Sequence, residues 1–119
     1  MKSPFLGKEK IAENKLSFSI YDGFPVSEGH CLIVPHRVYP NYFESTSDEI
    51  RGLHRLVLET KALLDEKFNP DGYNVGINCG EDSGQTVPHV HIHLIPRYKG
   101  DVENPRGGVR GVIPSKQKY

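Results

Sequence analysis

His89-Val90-His91-Ile92-His93-Leu94-Ile95 sets three of the chain's six histidines two residues apart, with apolar residues between and after them. Side chains on a β-strand alternate between faces with a period of two. One face of such a strand carries His89, His91 and His93; the other carries Val90, Ile92 and Leu94, which can close over a core. A strand that gives one face to imidazoles forgoes burial there, so the run marks a site. Neutral imidazoles aimed into one space can bind a metal, attack an electrophile or handle protons.

Working outward, Leu16-Ser17-Phe18-Ser19-Ile20-Tyr21 alternates apolar and polar residues, the pattern of a half-buried strand. Asp22-Gly23-Phe24-Pro25 and Ser27-Glu28-Gly29 punctuate the connection to His30-Cys31-Leu32-Ile33-Val34, a short apolar run closed by Pro35. Residues 46–68 form the one long helix. Thr46 and Glu49 supply a capping box, and Ile50, Leu53, Val57, Leu64 and Phe68 supply an apolar stripe. Asn69-Pro70-Asp71-Gly72 stops the helix. Tyr73-Asn74-Val75-Gly76-Ile77-Asn78 reads as a third strand. A turn-rich loop over residues 80–84 leads to the histidine strand, with Pro88 at its first position. Past Asp101 the chain changes character. Asn104-Pro105-Arg106-Gly107-Gly108 is a joint, residues 109–114 can form a short edge strand, and residues 115–119 are a basic tail. Strand, strand, helix, strand, strand implies an α+β domain with a largely antiparallel sheet.

The chain has 119 residues, 36% hydrophobic and 25% charged, which suits one soluble globular domain. Fifteen basic residues balance fifteen acidic ones, so no overall field recommends a nucleic-acid polymer as partner. No apolar run approaches a membrane span and no signal-peptide core is present, so the expected compartment is the cytoplasm. Cys31 and Cys79 lack a CxxC partner and read as reduced thiols within strands.

Three uses of the histidines compete. A catalytic zinc ion would want a nearby general base, which the strand lacks, and three same-face positions spread roughly 13 Å. Three merely structural imidazoles beside a polar glycine-bearing loop would each need a hydrogen-bond partner. Nucleophilic attack on phosphorus fits better, with His91 as nucleophile between two further rings. The preceding loop, Gly80-Glu81-Asp82-Ser83-Gly84-Gln85-Thr86, permits close backbone approach to an anion.

The run Gly84-Gln85-Thr86-Val87-Pro88-His89-Val90-His91-Ile92-His93-Leu94-Ile95-Pro96-Arg97 resembles the signature of the histidine triad (HIT) family of nucleotide hydrolases and transferases. The similarity extends over about residues 16–101. The resemblance implies a HIT domain over residues 1–103, with a C-terminal extension over residues 104–119. It implies a five-stranded sheet with one long and one short helix, continued across a homodimer. It further implies that His91 becomes nucleotidylated at the α-phosphate of a nucleotide substrate, that His93 contacts phosphate and that His89 orients the ring of His91. By the same resemblance Gln85 contacts the phosphate chain or leaving group, Asn78 and Thr86 flank the phosphate, Asp22 holds ribose hydroxyls and His30 stands behind the triad. Phe18 and Ile20 either wall the base or belong to the core. Pro96-Arg97 followed by Gly100-Asp101 resembles the diadenosine polyphosphate hydrolase branch more than the adenosine phosphoramidase branch. No cofactor is implied; a divalent cation would arrive with the polyphosphate. Arg110 either reaches phosphate or stands on the surface. A nucleotide-binding sensor with negligible turnover is the rival from another class.

Overall fold

The computed structural model describes residues 3–119. Five strands make one sheet: β1 (Ala12–Glu13), β2 (Ser17–Tyr21), β3 (Cys31–Pro35), β4 (Gly72–Ile77) and β5 (Ile92–Arg97). Their order is β1-β2-β3-β5-β4, and every pairing is antiparallel. The single α-helix among the described residues, α1 (Ser47–Phe68), crosses one face. Cys31 and Ile33 of β3 and Ile92 and Leu94 of β5 pack there against Leu53, Leu56 and Leu64. On the opposite face Phe18, Ile20, Leu32 and Val34 pack with Phe5 from the N-terminal segment. The period-two alternation of β3 thus feeds two separate cores.

Three sequence expectations change. The fifth strand is β1, not residues 109–114, which curl into short 3-10 turns at Gly108–Val112 and Pro114–Lys116. Gly107 and Gly108 adopt φ of 88° and 46°, which turns the chain. The Arg110 guanidinium then donates to the carbonyls of Lys116 and Gln117, closing the segment on itself. The expected short helix is likewise met only by 3-10 turns of three to five residues. The histidine strand begins at Ile92, four residues later than Pro88. Before that point the Val90 N–H donates to the Tyr39 carbonyl, outside the ladder.

The connection from β2 to β3 is fixed at both ends. Gly29 has φ of 88°, and a Cβ there would lie 2.9 Å from the Phe68 ring, so only glycine fits. Ser27 Oγ donates to the Pro96 carbonyl at 2.6 Å, and Tyr98 Oη to the Glu28 carbonyl at 2.6 Å, tying this loop to β5.

Helix α1 opens with the capping box read from the sequence. Thr46 Oγ1 accepts from Glu49 N–H at 3.1 Å, and Glu49 Oε1 accepts from Thr46 N–H at 2.8 Å. Arg37 donates to both oxygens of Glu49 at 2.9 and 2.7 Å, and this pairing holds the Glu49 carboxyl at about 2. The buried stripe is Leu53, Leu56, Thr60 and Leu64. Ile50, expected inside, is 40% exposed on the flank of the helix near Val75 of β4, while Val57 packs against the margin of the core. Thr46→Ala should therefore cost about 1 kcal/mol, read as a lower urea midpoint with an unchanged slope.

Candidate active site

His93 sits in the ladder, opposite Leu32 of β3 on one side and Gly76 of β4 on the other. His91 stands just outside the strand. Their rings lie edge to face with centroids 5.1 Å apart, on the sheet face away from α1. Both line a cavity of about 340 Å³, whose walls also include Phe5, Lys8, Ile20, Asp22, Phe24, Asn78 and Thr86. Of the residues singled out in the sequence, the cavity therefore gathers His91, His93, Asp22, Asn78 and Thr86. Ile20 lines it and Phe18 does not.

His91 is held through the backbone. Its Nδ1 lies 2.8 Å from the carbonyl of His89. A carbonyl can only accept, so in the neutral ring Nδ1 carries the proton and Nε2 the lone pair. The ring of Phe5 rests against it with centroids 4.9 Å apart.

His89 meets His91 through its carbonyl rather than its ring. Its ring is fully buried and turned from the cavity: Nε2 donates to the Pro35 carbonyl at 2.8 Å, and Nδ1 accepts from Ser3 Oγ at 2.6 Å. It is the main chain of His89 that meets His91, while the side chain anchors that main chain. Ser3 and Phe5 carry no local signal in the sequence, since their contacts are made some 86 residues away. The one hint was indirect, in that buried imidazoles require donors and acceptors.

Gln85 does not line the cavity. Its Oε1 accepts from Gly80 N–H at 2.9 Å, and its Nε2 donates to the carbonyls of Pro40 and Val87 at 2.6 and 3.0 Å. The side chain braces the loop that carries Thr86. His30 is buried behind His93, with Nε2 3.0 Å from His93 Nδ1, while its Nδ1 receives the Val26 N–H at 3.1 Å. Asp22 accepts from Phe24 N–H at 2.8 Å through Oδ1. Its Oδ2 lies 3.4 Å from His30 Nε2 and 3.9 Å from His93 Nδ1. Asp22, His30 and His93 form the one cluster among the described residues with three ligand-type atoms close enough for a single ion, all within 4.8 Å. Arg110 lies outside both arrangements, spent on the carbonyls of its own tail.

Burial disfavours the charged form of the imidazoles here. His93 is pushed down to about 4, chiefly by desolvation and then by the neighbouring His91 and His30, with Asp22 opposing. Desolvation also lowers His30 and His89.

With this geometry in view, the comparisons with known proteins are direct. The HIT domain family model matches residues 6–100. The chain belongs to the HIT family. It is 36% identical over 96 residues to the bis(5′-nucleosyl)-tetraphosphatase (asymmetrical) of Schizosaccharomyces pombe, covering 81% of this chain and 53% of that protein. It is 41% identical over 90 residues to the bis(5′-adenosyl)-triphosphatase of Dictyostelium discoideum, covering 76% and 60%. The chain thus spans little more than half the length of these curated relatives. A HIT family protein from Bacillus anthracis superposes with a TM-score of 0.75 at 33% identity, over 79% of this chain and 67% of that one. Among the described residues no helix is long and apolar enough to cross a membrane.

The depressed histidines have a measurable consequence. Between pH 6.5 and 4 the unfolded chain binds more protons than the folded one, so stability falls as the solution is acidified through that window. His93 alone should account for about 2 kcal/mol between pH 7 and pH 5. Urea titrations at the two pH values should show that loss in the wild type and a clearly smaller one in His93→Asn; equal losses would exclude His93 as the source.

Proposed function

We propose that this HIT domain hydrolyses nucleoside 5′-phosphoryl compounds of the diadenosine polyphosphate type through a transient nucleotidyl-His91. The observation that carries the reading is the lone pair left on His91 Nε2 in a cavity that also holds a carboxylate, neutral donors and apolar walls. In the first step Nε2 forms a bond to the α-phosphorus, and the P–O bond to the rest of the polyphosphate breaks with its electron pair. In the second step water forms a P–O bond, the N–P bond breaks, and nucleoside monophosphate leaves with a neutral imidazole behind. Splitting the displacement this way lowers each barrier. A proton from the attacking water passes to solvent, and no oxidant or resident cofactor is needed. A divalent cation enters, on this reading, bound to the polyphosphate.

The residues take roles according to their places. His93 and Thr86 donate to phosphoryl oxygens, Asn78 adds a polar contact, and Asp22 accepts from ribose hydroxyls. His30 supports His93 from behind. His89 and Gln85 position His91 and the phosphate loop. Phe5, Ile20 and Phe24 give the base apolar surface, an arrangement typical of small-molecule sites. The names of the S. pombe and D. discoideum relatives support polyphosphate-linked dinucleosides as the substrate class. Incubation with diadenosine tetraphosphate should release AMP, and His91→Ala should lower kcat by at least about a thousandfold. Quenching the wild-type reaction should yield an adenylylated His91 peptide. Unchanged turnover in His91→Ala removes the nucleophile, and tight nucleotide binding without turnover in either protein favours a sensor. A zinc-selective chelator in magnesium-containing buffer should leave the rate intact.

The same reading includes a homodimer. Strand β4 is an edge of the sheet, paired with β5 on one side and, among the described residues, with no strand on the other. Beside it Ile50, Leu58 and Val75 are 40%, 55% and 47% exposed, forming an apolar margin between helix and edge. Pairing two β4 edges across a two-fold axis would cover both. Val75→Asp should convert a dimer of about twice the 13.4 kDa chain mass into monomer, as read by light scattering. Residues 1–103 form the catalytic domain in this reading, residues 104–119 an extension, and the free Cys31 and Cys79 suit the reducing cytoplasm.

A further inference from the structure

We propose that the main-chain N–H of Val26, acting through the ring of His30, fixes the proton of His93 on Nε2, so that His93 meets the phosphoryl group as a neutral donor. The reading of the cavity as a phosphoryl site is taken from the proposed function; the tautomer itself stands on hydrogen bonds alone.

The chain of inference begins at a backbone amide, which can only donate. Val26 N–H lies 3.1 Å from His30 Nδ1, so that nitrogen accepts and the neutral ring carries its proton on Nε2. His30 Nε2 lies 3.0 Å from His93 Nδ1 and donates to it. His93 Nδ1 is then the acceptor, and the ring's one proton stands on Nε2. Reversing the His30 ring would set its Nδ1–H against Val26 N–H across 3.1 Å, and reversing His93 alone would set its Nδ1–H against His30 Nε2–H across 3.0 Å. Such a collision costs far more than the loss of one hydrogen bond.

Asp22 points the same way. Its Oδ2 lies 3.4 Å from His30 Nε2, the nitrogen left with the proton, and 3.9 Å from His93 Nδ1, beyond hydrogen-bond reach. The amide is the contact whose direction no titration can change. The same argument bears on metal binding: with its proton on Nε2, His30 presents a donor to Asp22 and His93 rather than a ligand lone pair. The cluster that resembles a three-ligand cation site by distance is therefore a proton ladder by hydrogen bonding.

Val26 can serve as a fixed reference because the turn around it is bolted to β5. Ser27 Oγ and the Glu28 carbonyl bond to the Pro96 carbonyl and Tyr98 Oη, both at 2.6 Å. The side chain of Val26 itself is exposed, so only its backbone matters to the site. Val26 and His30 are positioning residues; His93 is the group placed to touch the substrate.

Nitrogen-15 NMR of histidine-labelled protein reads the tautomers directly, with ring signals assigned through single-histidine variants. His30 and His93 should each show a protonated Nε2 and a bare Nδ1, and His91 the reverse. In Val26→Pro, which deletes the amide proton in an exposed turn, the His30 and His93 signals should move toward a mixture of both forms. A wild-type His93 with its proton on Nδ1, or a Val26→Pro spectrum unchanged at both rings, overturns the proposal. In turnover, His30→Leu should lower kcat about tenfold with KM within about twofold. His30→Gln, whose amide can accept from Val26 and donate to His93, should recover most of that loss; failure to exceed His30→Leu also overturns it. Were the hydrolase reading wrong, the spectra would keep their predicted form while turnover was absent, so the two failures are distinguishable.

Discussion

One hydrogen bond governs the arrangement of the site: His91 Nδ1 to the carbonyl of His89, at 2.8 Å. An imidazole has one proton to place when neutral, and a carbonyl that can only accept dictates where it goes. The bond joins residues two apart, at a place where the main chain bends over residues 87–89. Strand β5 starts beyond it, at Ile92 rather than at the first histidine. Everything near the bend serves to hold it. Val90 N–H goes to the Tyr39 carbonyl, the His89 ring is clamped between the Pro35 carbonyl and Ser3 Oγ, and Phe5 covers the ring of His91. In the proposed reaction the ring of His91 becomes positive when its Nε2 bonds to phosphorus. The same carbonyl then accepts from a charged donor, a stronger bond than before. The constraint that exposes the lone pair also stabilises what forms from it.

Much of this could be read along the chain, and the limits have physical causes. Alternation correctly put Ile92 and Leu94 into the helix-side core and turned His91 and His93 to the other face. The capping box at Thr46 and the stop at Asn69 are local devices, made by residues within four positions of one another, and both are present. What the sequence did not reveal depends on distant partners. Nothing near His89 says that its ring would be claimed by Ser3 and Pro35. Gln85 matches a phosphate-contacting position by motif, yet its amide is drawn to Pro40 from another loop. Residues 109–114 have the composition of an edge strand, but the glycine pair before them and Arg110 within them favour a closed turn. The helix stripe differs at Ile50 for a further reason: apolar character does not oblige a residue to be buried, and Ile50 is 40% exposed.

The electrostatic character of the site follows from keeping histidines neutral. Polyphosphates are strongly anionic, and a cluster of imidazolium ions would bind them tightly. Such a cluster would serve catalysis badly, because protonated His91 has no lone pair, and tight binding of ground state and product alike does not accelerate the chemical step. Desolvation removes that option by pushing His93 down to about 4 and lowering His30 and His89. What remains is a set of oriented N–H and O–H dipoles. In the proposed reaction these gain most where negative charge builds on the phosphoryl oxygens, and they need no reorganisation at that moment. Orientation then has to be supplied from outside the rings, since a neutral imidazole can turn or exchange its proton position. The carbonyls of His89 and Pro35 and the amide of Val26 supply it. Each is a backbone group whose polarity no proton transfer can reverse, so the triad borrows its chemical direction from the chain that carries it.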